Sequence, residues 1–68
     1  MTVSTRDVVA VFAAQIMIRQ YGDEARERAE ACMAQMHARG DLANVARWAA
    51  ILRSIDELEA EEQGRRLH

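Results

Sequence analysis

The eleven residues Val8-Val9-Ala10-Val11-Phe12-Ala13-Ala14-Gln15-Ile16-Met17-Ile18 contain one polar side chain, and at helical spacing their bulky members point in nearly every direction. A helix that is apolar all round must be covered all round. The remainder of a 68-residue chain can supply only two further helices as cover, so a second chain is expected to complete the core. Length points the same way. A single domain spanning 1–68 lies in the size range where one core rarely supplies more than about 3–5 kcal/mol, and natural proteins this small add a staple.

Cys32 is the only cysteine, which excludes a disulfide within the chain. A lone thiol without a secretory signal fits a reducing cytoplasm. Oligomerisation is then the staple that remains. No apolar run reaches the roughly 18–20 residues of a membrane span, and residues 8–18 are interrupted by Gln15 and flanked by Asp7 and Arg19. The expectation is a soluble, cytoplasmic protein with no membrane partner.

Eleven acidic against nine basic residues give a formal charge of −2, so no net positive field draws phosphate backbones or anionic lipids. All nine bases are arginine and thirteen residues are alanine. That usage reads as the codon bias of a GC-rich bacterial genome rather than as selection for guanidinium chemistry.

Proline is absent, and two of the three glycines are each followed by aspartate, at Gly22-Asp23 and Gly40-Asp41. Glycine past a helix end tolerates the left-handed backbone of a closing cap, and aspartate accepts the free amides of the next helix's first turn. Each pair is expected to end one helix and begin another, with short connections joining antiparallel neighbours. The fold class is therefore all-α, with three antiparallel helices over about 5–21, 24–39 and 42–62, joined by tight Gly-Asp turns and completed by oligomerisation. Ser4 with Asp7 resembles a capping box, and Val3 and Val8 could form its hydrophobic staple. The β-branched Val8, Val9 and Val11 also suit a strand, but no second strand candidate exists to pair with them.

The second helix carries a narrow stripe of Ala25, Ala29, Cys32, Met33 and Met36. Its other face holds Glu24, Arg26, Glu27 and Arg28, with Glu24 placed four residues before Arg28 for a surface pair. On the third helix Val45, Trp48, Ala49, Leu52 and Ile55, widened by Ile51 and Leu58, cover close to half the circumference. One flank would face the first two helices and the other a symmetry mate. Nothing apolar anchors the chain after Leu58, so 63–68 should fray, although Glu61 with Arg65 and Glu62 with Arg66 have the spacing of ion pairs.

Chemistry-bearing arrangements are sparse. Cys32, Met33, Met36 and His37 combine the ligand types preferred by a soft metal such as copper(I). Cysteine and methionine are also ordinary core fillers at stripe positions, and His37 can bond terminal carbonyls. Packing is the reading adopted, with no metal and no cofactor. The acidic run Asp56, Glu57, Glu59, Glu61 and Glu62 has no apolar cleft to make an acid–base pair of it. A helix-turn-helix reader around Gly40 would have no arginine on its recognition helix until Arg47. No catalytic residue and no small-molecule substrate emerge.

The segment Gln20-Tyr21-Gly22-Asp23 with Ala25 and Ala29, then Gly40-Asp41, then Trp48 three residues before Ile51, followed by Ile55 and Leu58, resembles a family of small all-helical alphaproteobacterial proteins of unknown function. The resemblance extends over about 8–58. It implies helical architecture and bacterial origin, and it brings no activity or cofactor with it. Ala50 stands where that pattern carries a basic residue.

The expected function is a non-enzymatic interaction protein, homodimeric or an accessory or regulatory subunit of a larger partner. Its interface and core residues are Val8, Val11, Phe12, Ile16, Ile18, Val45, Trp48, Ile51, Leu52, Ile55 and Leu58. A copper-binding protein and a DNA-associated regulator are the alternatives.

Overall fold

The computed structural model describes residues 8–66, which are almost entirely helical and include no strand. The Ser4 cap, the Val3–Val8 staple and the start of the first helix at residue 5 lie outside the described residues, as do 67 and 68. The elements are α1 (Val8–Tyr21), a single 3-10 turn (Gly22–Glu24), α2 (Ala25–Ala38) and α3 (Leu42–Arg66).

The two Gly-Asp pairs behave differently. At the second, Gly40 takes φ +74° and the last turn of α2 closes as a Schellman motif. The Gly40 N–H donates to the His37 carbonyl at 3.0 Å and the Asp41 N–H to the Met36 carbonyl at 2.9 Å. Asp41 then caps α3, accepting the Asn44 N–H on Oδ1 at 3.3 Å. This junction is the tight turn that was expected.

The first junction is not. Gly22 also has a left-handed backbone, φ +57°, but helical hydrogen bonding resumes at once through the 3-10 turn, whose closing N–H on Ala25 donates to the Gly22 carbonyl. The N-cap of α2 is Glu24 rather than Asp23, and its side chain makes no capping bond. Helical backbone thus runs without a gap over residues 8–38, and the chain is built as two helical arms, the first bent at Gly22 and the second formed by α3. The expected scheme of three helices separated by two Gly-Asp turns is corrected to that extent.

Both halves of the bent arm pack on α3, and α1 and α2 touch each other far less than either touches α3. Near the open end of the α2–α3 pair Arg26 reaches Asp56, and near the turn His37 lies beside Val45 in one shallow cleft. These two helices therefore run antiparallel. Farther along α3, Leu58 lies beside Ile18 of α1. The wide apolar arc of α3 is thus shared between two helices of its own chain, which accounts for its width.

The core at the junction of the three helices is small. Ala14, Ala25, Ala29 and Ile55 are fully buried, with Met17, Ile18, Trp48, Ile51, Leu52 and Leu58 packed around them half-buried. Ala10 and Ser54 complete the buried set among the described residues. Alanines four residues apart in α1 and again in α2 bring helix backbones close but remove little surface from water. Among the described residues Ile55 is the one large side chain completely enclosed, a contribution of about 1.5–3 kcal/mol.

α3 continues as helix through Arg66, past the expected end at residue 62 and through residues where fraying was expected. Gly64 there has no left-handed backbone. A glycine with ordinary helical geometry weakens a helix by about 1 kcal/mol without stopping it.

Candidate interaction surface

The fully covered residues of α1 are Ala10 and Ala14, and Met17 and Ile18 pack half-buried against the cluster that Ala14 forms with Ile55 of α3. Four of its bulky residues point the other way. Val8, Val9, Phe12 and Ile16 are 63%, 74%, 61% and 54% exposed. At about 100° per residue these four fall within roughly 100° of arc centred opposite Ala10 and Ala14. That is the width of apolar stripe a helix uses to pack on a neighbour. α1 therefore carries two packing faces, one built on Ala10 and Ala14 with Met17 and Ile18 beside them and occupied by α3, and a bulky one open to solvent.

Along one edge of the open face, Phe12, Gln15, Ile16, Ile18 and Arg19 form a groove of about 660 Å³ with Leu58, Glu61 and Glu62 of α3. Arg19 is the basic residue of the last turn of α1, and Glu61 and Glu62 are exposed on the opposite rim. The groove combines an apolar floor with charges of both signs.

The residues singled out from sequence divide accordingly. Val8, Phe12 and Ile16 lie on the open face. Val11, Ile18, Val45, Trp48, Ile51, Leu52 and Leu58 are half-buried, and Ile55 is enclosed. Val9, the most exposed of the stripe, was not among them, nor were Ala10 and Ala14. The i, i+4 spacing of the alanines was the signal for the second face, and the bulk of the valines around them obscured it.

The outer face of α2 is a surface of paired charges. Glu24 and Arg28 approach to 3.6 Å and Arg26 and Glu30 to 3.5 Å, all four exposed. The Arg28 guanidinium also lies over the Tyr21 ring, 4.6 Å from its centroid. Arg26 additionally reaches Asp56 of α3 at 3.5 Å. The Glu24–Arg28 pair is the one its spacing suggested.

Cys32, Met33 and Met36 are half-buried along the stripe that continues from Ala25 and Ala29, and His37 is exposed. Among the described residues, no three His, Cys, Asp or Glu side chains cluster as metal ligands would. The α2–α3 pair lies antiparallel on either side of the turn at Gly40. No described helix is long and apolar enough to cross a membrane. Comparisons with protein-family models, with curated proteins and with solved structures find no match for the chain.

Proposed function

We propose that this chain is a non-enzymatic interaction protein that associates with copies of itself through the open face of α1 and the adjoining edge of α3. The observation that carries this reading is the exposed stripe Val8, Val9, Phe12 and Ile16. Together these side chains leave roughly 450 Å² of apolar surface in water, taking about 150–200 Å² for a fully exposed side chain of this size. At about 1.5–3 kcal/mol for each such side chain fully covered, burying it would return roughly 4–8 kcal/mol per chain. Two such faces together return an amount of the same order as the about 4–15 kcal/mol that association costs, which is the scale a pair of copies needs.

The small internal core supports the same reading, because a domain with one large side chain fully enclosed among its described residues gains most from burial between chains. Cys32, the lone thiol, suits work in a reducing compartment such as the cytoplasm. Sedimentation equilibrium at micromolar concentration tests the proposal. Particles of two or more 7.7 kDa chains are expected, and a well-folded single-chain species at all concentrations would overturn it.

A further inference from the structure

We infer that the open stripe of α1 is covered by the same stripe of a second copy, laid antiparallel across a two-fold axis at Phe12. This pairing rests on the self-association proposed above and adds its face and direction. Val8, Phe12 and Ile16 follow one another at i, i+4 and i+8, with Val9 beside them, so the row is centred on Phe12. A contact between identical surfaces must be self-complementary, each residue meeting its counterpart reciprocally. An antiparallel pairing centred on Phe12 sets Phe12 against Phe12 and Val8 against Ile16 twice. Both stripes are consumed, leaving no apolar edge to propagate a filament.

Area and charge select the same arrangement. A standard interface buries about 800 Å² per partner, a little over half of it apolar, which is close to the roughly 450 Å² that the stripe leaves exposed. Direction follows from Arg19, which is exposed on the same side of α1. A parallel pairing would set the two Arg19 guanidinium groups side by side. The antiparallel one separates them by about 21 Å along the helices, at about 1.5 Å per residue on either side of Phe12, more than twice the screening length of about 8–10 Å. The outer face of α2 is a poorer rival, since it is charged rather than apolar and Arg26, Arg28 and Glu30 are already engaged in ion pairs.

Cysteine cross-linking reads the pairing directly. Val8→Cys and Ile16→Cys are made separately in the full chain carrying Cys32→Ala, then mixed and oxidised with diamide, and the linked tryptic peptides are identified by mass. The expected product is the mixed 8–16 disulfide, in clear excess over the product of either variant alone. In the otherwise native chain Phe12→Glu should weaken self-association by about 100-fold, as loss of a central anchor does, with helical circular dichroism retained because Phe12 is exposed. Self-linked 8–8 and 16–16 products would overturn the antiparallel direction. A dimer that neither forms the 8–16 link nor responds to Phe12→Glu would overturn this face while leaving self-association standing. A monomeric wild type would remove both.

Discussion

Asn44 donates to both carboxylate oxygens of Asp41, from its backbone N–H to Oδ1 at 3.3 Å and from its side-chain amide to Oδ2 at 2.7 Å. The aspartate thereby caps α3 and is itself held by the helix it caps. Those two bonds favour the charged form, the side-chain bond most, and with Arg39 and Arg47 nearby they hold the Asp41 carboxyl below its usual value of 3.8. A carboxyl depressed in the folded state adds stability that is fully present above the unfolded value. That stability is lost as pH falls through the lower folded value. Melting temperature measured from pH 7 down to pH 2 should therefore fall below about pH 4 in the wild type. The acid-induced fall should be smaller in Asp41→Asn, which can still cap but does not titrate. Superimposable pH profiles would show that the carboxylate contributes nothing through its charge.

The glycines at 40 and 64 make a second, paired prediction. A Cβ at either position would meet nothing within 4 Å, so only the backbone distinguishes them. Gly40 has φ +74°, a left-handed conformation that costs a residue with a Cβ about 1–2 kcal/mol. Gly64 sits inside α3 with ordinary helical geometry, where alanine is favoured by up to about 1 kcal/mol. Urea denaturation should thus show Gly40→Ala less stable and Gly64→Ala more stable than the wild type. Equal effects of one sign would contradict the backbone assignment of one of them.

The contrast between the two Gly-Asp pairs shows how far local chemistry reaches. Gly40-Asp41 was readable because everything it needs is local: a left-handed glycine, a capping carboxylate and Asn44 three residues on. Gly22-Asp23 offers the same two letters, yet α2 starts one residue later, with Glu24 at its cap, because both α1 and α2 must lie on α3. That is a tertiary requirement, invisible in a dipeptide. The open stripe was legible for a related reason. Apolarity in every direction indicates that a helix needs two covers, and it points to Val8, Phe12 and Ile16. The pattern does not say which side is taken first; the alanines at 10 and 14 decide that, because only a small-residue face admits close approach to α3.

Trp48 packs half-buried against the cluster around Ile55. Truncating a fully buried aromatic costs about 3–5 kcal/mol, and a partly covered one should cost less, about 2–3 kcal/mol. In a domain whose whole margin is of similar size, that shifts a large fraction of Trp48→Ala to the unfolded state at room temperature. Far-ultraviolet circular dichroism against urea is the appropriate measurement, since the substitution removes the fluorophore. An unchanged midpoint would mean that the indole contributes nothing to the fold.

Ala29 tests the close approach of α2 to α3. Its side chain is fully buried in the same cluster as Ile55, whereas Ala31 on the same helix is exposed. Leucine and alanine are both good helix formers, so leucine at either site keeps the local helix preference nearly unchanged and differs mainly in the volume it must find. At position 29 the added carbons have to push the helices apart or force neighbouring side chains off their rotamers, at a cost of about 1–3 kcal/mol. At position 31 they enter solvent and should change stability by no more than about 0.5 kcal/mol. Urea midpoints of Ala29→Leu and Ala31→Leu, compared at one protein concentration to hold any association constant, should differ accordingly. If Ala29→Leu were as stable as Ala31→Leu, the space between α2 and α3 would have to be larger than an alanine-lined seam, and the small-residue account of the core would fail.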